Sequence, residues 1–127
     1  VNLLLDTHAL IWFSESAPQL SAKALKEIES QNNISFISMA TFWELAIKLS
    51  IGKLQLAKPL SVIMAEVQSN GFLLLPIAPS HILQVETLPF LHRDPFDRIL
   101  IAQALSEGFT LISNETLFDE YGVKRLW

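Results

Sequence analysis

The chain contains no cysteine, which excludes disulfides, thiolate metal sites and cysteine nucleophiles. Glycine is scarce, four in 127 residues, and none of the four builds a phosphate-cradling loop or a GxSxG nucleophile turn. No apolar run reaches the roughly 18 residues that a membrane-spanning helix needs. The N-terminus shows no basic region followed by a cleavage site. These absences give the expectation of a cytoplasmic protein with no membrane contact. Charge is also short: Asp, Glu, Lys and Arg make up 17% of the residues, against roughly 25% in ordinary soluble proteins. Half of the residues are apolar, so either the buried fraction is large or a partner covers apolar surface. The 13 acids outnumber the 9 lysines and arginines, for a formal charge of −4. A broad basic face for nucleic acid is therefore excluded; contact with a polyanion would need local basic residues and metal ions.

The length suits one domain over residues 1–127 with a real core. Val1 to Leu5 is a continuous apolar run ending at Asp6, which reads as a buried strand. His8 to about Ser16 reads as a helix, interrupted by Pro18. Ser21 caps a second helix to about Ser30. Ile34 to Ile37 is a second strand closed by Ser38, and Met39 to Ser50 a largely apolar helix. Leu60 to Asn70 is the next helix, Phe72 to Leu75 the third strand, and Ser80 to Leu88 a short helix. Asp94-Pro95 opens a helix that runs to Glu107 and stops at Gly108. Thr110 to Ile112 is the fourth strand. A helical turn near Leu117 and an edge strand over Val123 to Trp127 complete the chain. Apolar strands alternating with helices imply an α/β fold with a mostly parallel sheet of four to five strands and helices on both faces.

In such sheets ligands bind beyond the carboxyl ends of the strands. Asp6 follows the first strand. Ser38 follows the second, with Glu44 in the helix after it. Asp94 and Asp97 open the helix before the fourth strand, and Glu115 lies just past Ser113. All five acids can meet at one edge. Clustered carboxylates repel, and each is pushed toward its protonated form unless a cation is present. Mg²⁺ prefers oxygen ligands, and divalent ions so held activate water against a phosphodiester. The residues alone thus point to metal-assisted phosphodiester hydrolysis.

Each acid has a plainer reading beside this one. Asp6 can hydrogen-bond a turn. Glu44 can pair with Lys48, one helical turn on. Asp94 before Pro95 is a helix-start signature, and Asp97 at the third helical position favours the dipole; a start already capped by Asp94 does not need Asp97, which makes Asp97 the preferred ligand of the two. Glu115 can open an exposed helix. Thr7 reads as a turn hydrogen bond or a support for Asp6. The three histidines, His8, His81 and His92, lack HExxH spacing, and His8 reads as structural. The three tryptophans read as core or interface residues.

Taken in order, Leu-Leu-Asp-Thr-His-Ala-Leu at 4–10, Ser38 with Trp43-Glu44-Leu45-Ala46-Ile47-Lys48, Gly52-Lys53-Leu54, and His92-Arg93-Asp94-Pro95-Phe96-Asp97-Arg98 continuing into Ile101-Ala102-Gln103-Ala104 resemble the PIN-domain ribonucleases. Leu111-Ile112-Ser113, Tyr121-Gly122-Val123 and Leu126-Trp127 extend the match. The likeness is strongest to VapC-like toxins of type II toxin–antitoxin systems. It implies a three-layer α/β/α sandwich and a Mg²⁺- or Mn²⁺-dependent endoribonuclease. The family's four acids fall on Asp6, Glu44, Asp97 and Glu115, with Asp94 as a further member. Asp6, Asp97 and Glu115 are the implied metal ligands. Spacing alone does not decide between Asp94 and Asp97, and Glu115 stands where the family usually has Asp. Ser38 and Ser113 match small hydroxyl positions that support the site. Thr7, Lys48, Arg93 and Arg98 are the remaining candidates for support or RNA contact. The resemblance also implies a homodimer and an antitoxin protein whose tail covers a groove, which would use the apolar excess.

Two other readings compete. A PIN-like module that has lost catalysis and works through protein contacts is motivated by Glu115. A phosphoryl-transfer domain also keeps acids beyond strand ends, but Asp6-Thr7-His8 lacks the second acid of those motifs and no lysine directly follows a late strand.

Overall fold

Leu3, Leu4 and Leu5 are consecutive on strand β1 (Asn2–Leu5) and all are essentially inaccessible. Successive strand residues point to opposite faces, so burial of all three requires packing on both sides of the sheet. Leu3 and Leu5 enter one core with Ala9, Leu10, Ile37, Phe42, Leu45, Ile63 and Val67. Leu4 enters a second core with Leu100, Ile101, Ala104, Leu111 and Phe118. The computed structural model, which describes residues 1–127, is thus an α/β/α sandwich.

Helices α1 (Thr7–Ser14), α2 (Ala22–Glu29), α3 (Met39–Ser50) and α4 (Leu60–Ser69) supply the first core, with strand β2 (Ile34–Ser38) between α2 and α3. Strand β3 (Leu73–Leu75) and helix α5 (Pro79–Thr87) follow, then α6 (Pro95–Glu107), strand β4 (Thr110–Ile112), a 3-10 helix (Thr116–Tyr121) and strand β5 (Arg125–Leu126). Helix α6 and the 3-10 helix build the second core. The sheet has five strands in the order β3-β2-β1-β4-β5, and every pair is parallel. Leu4 lies opposite Phe36 on one side and Leu111 on the other.

Element boundaries follow local chemistry. Ser21 caps α2 by accepting from the Ala24 N–H at 3.0 Å. Ser38 ends β2 and caps α3 through the Ala40 N–H, also at 3.0 Å. Asp94 and Pro95 start α6, and Gly108, with φ of 71°, stops it in the left-handed conformation that glycine adopts at least cost. Two edge strands are shorter than their apolar runs. β3 begins at Leu73 rather than Phe72, and β5 covers two residues rather than Val123 to Trp127, because pairing with β2 and β4 extends no further. Thr7, expected just before the first helix, is its first residue, since Asp6 caps it.

The chain leaves β1 toward β2 on one side and leaves β4 toward β5 on the other. That reversal opens a crevice at the carboxyl ends of β1 and β4, the place where open α/β sheets bind ligands. Helix α6 runs down into β4, so its N-terminus sits at the same edge.

Candidate active site

Asp6 enters the crevice directly from β1. Its N–H donates to the Ile112 carbonyl of β4 at 3.0 Å, and its Oδ1 accepts from the Ala9 N–H at 2.8 Å. One carboxylate oxygen therefore caps α1. Burial pushes its carboxyl upward; the Ser113 hydroxyl, the Ala9 N–H and His8 pull it back, and Glu115 adds to the rise. The local hydrogen-bonding reading of Asp6 is realised as a helix cap, and the same buried carboxylate faces the charge of Glu115.

Glu44 lies in α3 and is 3% exposed. Both of its oxygens are occupied: Oε1 accepts from the Thr7 hydroxyl at 2.6 Å, and Oε2 from Lys48 Nζ at 2.6 Å. Thr7 is thus bonded to Glu44 and not held in a turn. Lys48 is raised above the usual lysine value, first by its hydrogen bond to Glu44 and further by the charges of Asp94 and Asp97.

Asp94 is the N-cap of α6. Its Oδ1 accepts from the N–H groups of Phe96 at 2.8 Å and Asp97 at 3.2 Å. Asp97, one turn in, is the focus of the cluster. Burial drives its carboxyl up to about 8, with Asp94, Glu44, Asp6 and Glu115 adding in that order. Four other carboxylates therefore act on one, so the acids from four places in the sequence converge.

Glu115 follows β4, and the Ser113 hydroxyl accepts its N–H at 3.0 Å. The longer Glu side chain reaches back over the crevice. Oε1 of Glu115 and Oδ2 of Asp97 both lie beside His92 Nε2, at 3.4 and 3.0 Å. These three atoms sit within 4.8 Å of one another. His92 Nδ1 accepts the Asp94 N–H at 3.1 Å, so the ring proton belongs on Nε2. Nε2 is nevertheless buried without a well-aligned hydrogen-bond acceptor. The carboxylate oxygens of Asp97 and Glu115 are hard donors of the kind a divalent cation takes, and the charge of Asp6 acts on Asp97 beside them. The imidazole, with its Nε2 proton, fits a donor to those carboxylates better than a ligand.

His92 is the residue that sequence reasoning missed. HExxH spacing places paired ligands on one helix, whereas here a loop, a helix start and a post-strand turn meet. The signal was its place two residues before Asp94. Tyr121 was missed with it: its hydroxyl accepts the N–H groups of Leu91 at 3.1 Å and His92 at 2.7 Å and so fixes the loop. The His92 ring also packs on Phe118, with centroids 5.7 Å apart.

Arg98 is a correction. Expected as a phosphate or carboxylate contact, it is 9% exposed and its guanidinium donates to the carbonyls of Pro89 at 3.0 Å and of His92 and Val85 at 3.4 Å. It also lies over the Phe90 ring at 5.0 Å. Its place at the fourth helical position turns it toward the α5–α6 connection, away from the acids. Arg93 is exposed and pairs with no carboxylate. Ser38 is fully buried and serves the start of α3. His8 is exposed and tilts against Trp12 rather than being built into the core, its ring centroid 5.4 Å away. Trp12 and Trp127 pack on the first core.

Known proteins share this fold. The family model described as the PIN domain matches residues 3–124. Ribonuclease VapC22 from Mycobacterium tuberculosis (strain ATCC 25618 / H37Rv) is 29% identical over 119 residues, covering 90% of this chain and 87% of the relative. Among solved structures, VapBC2 from Rickettsia felis bound to a DNA fragment from their promoter superposes with a TM-score of 0.77 at 16% identity, covering 100% of this chain and 99% of that one. Mycobacterium tuberculosis VapC20, described as a sarcin-ricin loop cleaving toxin, gives a TM-score of 0.68 at 12% identity over 95% of each chain. At these identities the structural matches speak for the fold.

Proposed function

The chain belongs to the PIN domain family, whose model spans residues 3–124, and on that premise we propose that it is a divalent-metal-dependent endoribonuclease, the toxin of a toxin–antitoxin pair. One observation carries the reading: five carboxylates from β1, α3, α6 and the turn after β4 converge on one crevice, and Asp97 among them is driven to about 8. A cluster so repulsive has no structural advantage over apolar packing. It makes sense as a cation site. The 29% identity to a ribonuclease over most of the chain supports the same reaction.

In this reading Asp6, Asp97 and Glu115 hold Mg²⁺ or Mn²⁺. When bound, such an ion polarises the phosphodiester and lowers the pKa of a water. The chain's own residues set the geometry. Asp6 is pinned by the Ala9 N–H, Asp97 is carried at the third position of α6 behind the Asp94 cap, and Glu115 is turned inward by Ser113. Glu44 stands over the crevice with Thr7 and Lys48 on its two oxygens, positioned to orient the attacking water. The exposed Arg93 is the basic side chain available to RNA phosphates, while Lys48 is committed to Glu44. Glu115 in place of Asp favours the alternative of an inactive binding module only if its carboxylate misses the cluster, and it lies within 4.8 Å of Asp97 and His92.

The apolar excess fits protein partners. Trp43 is 60% exposed and meets Phe96 edge-on at 5.2 Å. Together with Ile77, Ile82, Val85 and Ile99 they line a groove of about 300 Å³ between α3, α5 and α6. We assign this groove to a second copy of the chain. No helix is long and apolar enough to cross a membrane.

The test is cleavage of RNA by the purified chain freed of any antitoxin. Cleavage with Mg²⁺ or Mn²⁺, abolished by a chelator and by Asp97→Asn, is expected. Binding of neither ion together with no cleavage of any RNA would overturn the proposal in favour of the binding module.

A further inference from the structure

The five carboxylates of the crevice do not share their counter-charge evenly. Asp6 uses one oxygen on the Ala9 N–H, Asp94 uses one on the start of α6, and Asp97 and Glu115 face His92. Glu44 alone is held by an ammonium group, with a hydroxyl on its other oxygen, each at 2.6 Å. The cations available for this task are few. Arg98 is committed to backbone carbonyls, and Arg93 pairs with no acid. Lys48 is the one ammonium that sits on the cluster, and its charge also reaches Asp94 and Asp97.

A Glu–Lys pair one turn apart is common on exposed helices and contributes little there. This pair is different, because the Glu44 side chain is 5% exposed and forms one wall of the acidic crevice. A second divalent ion in a paired site lies about 3.5–4 Å from the first and needs carboxylate oxygens of its own. At the Glu44 end it would have to share oxygens already engaged by Thr7 and Lys48 and sit beside the Lys48 ammonium. At the Asp97 and Glu115 end the neighbouring group is the His92 imidazole, 3.0 and 3.4 Å away, and not an ammonium group.

We propose that Lys48 is a resident cation that stands where a second metal ion would otherwise bind, so that the crevice takes a single divalent ion between Asp6, Asp97 and Glu115. The inference rests on the metal-dependent reading above and names how that site is charged. Lys48 is a positioning residue here: it acts through Glu44, holding that carboxylate without a second ion. Its covalent attachment makes this charge independent of metal concentration.

Mn²⁺ titration of the full chain, freed of partners and without RNA, tests this by calorimetry and electron paramagnetic resonance. The wild-type chain is expected to bind one ion and give the spectrum of isolated Mn²⁺. Lys48→Met is expected to bind two, with the signature of a coupled pair, and Lys48→Arg to return to one. Lys48→Gln, which keeps a hydrogen bond to Glu44 but no charge, serves if the methionine variant does not fold, and is also expected to bind two. Two ions in the wild-type chain, or one ion in the folded neutral variant, overturns the inference and leaves the nuclease reading intact. No Mn²⁺ bound by the wild-type chain overturns both.

Discussion

Asp97 is where burial and neighbouring charge act together on a single side chain. Burial and four neighbouring carboxylates carry its carboxyl from 3.8 to about 8 in the metal-free protein. The unfolded chain releases that proton near 3.8 and the folded chain holds it to about 8, so across this interval the folded state binds the extra proton. Stability of the metal-free protein therefore falls as pH rises from about 4 to about 8 and is flat in this contribution above it. Asp6, raised by burial, adds in the same sense. Thermal melting in chelator across that range checks the slope, and Asp97→Asn is expected to flatten it. The same substitution should lower RNA cleavage by more than about 100-fold, beyond what loss of a supporting group usually costs, while raising the melting midpoint at pH 8. A midpoint lowered at pH 8 would show that the Asp97 charge is compensated by something other than metal. The identity of this residue as an acid at a helix start was legible in the sequence. Its perturbation was not, since that requires Asp6, Glu44 and Glu115 to be brought alongside.

At the scale of elements, the start of α6 performs two jobs on adjacent turns of backbone. Asp94 caps the helix through Phe96 and Asp97, and Pro95 needs no partner for a missing N–H. Asp94→Ala should cost about 1 kcal/mol, read as a melting midpoint lower by about 4 °C for a domain of this size. Asp94→Ser should restore most of it, because serine caps nearly as well. If serine restores stability but not cleavage, Asp94 contributes charge to the crevice as well as a cap. This helix was legible to its last residue, because Asp-Pro and Gly are local start and stop signals. The edge strands β3 and β5 were not, because a short strand extends only as far as its neighbour offers hydrogen bonds. Arg98 fell between the two cases: its charge was visible, but the direction of its guanidinium is set by the packing of α6 against the α5–α6 connection and Tyr121.

At the scale of the whole molecule, the scarcity of charge has a visible counterpart in exposed apolar side chains. Trp43, Ile82, Leu83 and Phe90 are each at least 60% exposed. If the groove lined by Trp43 and Phe96 receives a second copy, Trp43→Glu should convert a dimer to a monomer by light scattering, with the fold retained because the residue takes no part in either core. A dimer that persists in this variant would place the self-association elsewhere.

The sequence by itself determined the parallel α/β architecture, since uninterrupted apolar strands between helices have no other way to bury both faces. It also determined which acids follow strand ends and helix starts, because those positions are local. The Glu44–Lys48 pair was legible as a helical spacing, but tertiary structure alone decided that Thr7 takes the other oxygen of Glu44, that His92 lies between Asp97 and Glu115, and that Arg98 faces away. The reason is geometric: side chains more than 20 residues apart meet only after the strand order reverses at β1 and β4, and the lone pair or proton each one offers depends on what the fold has placed opposite it.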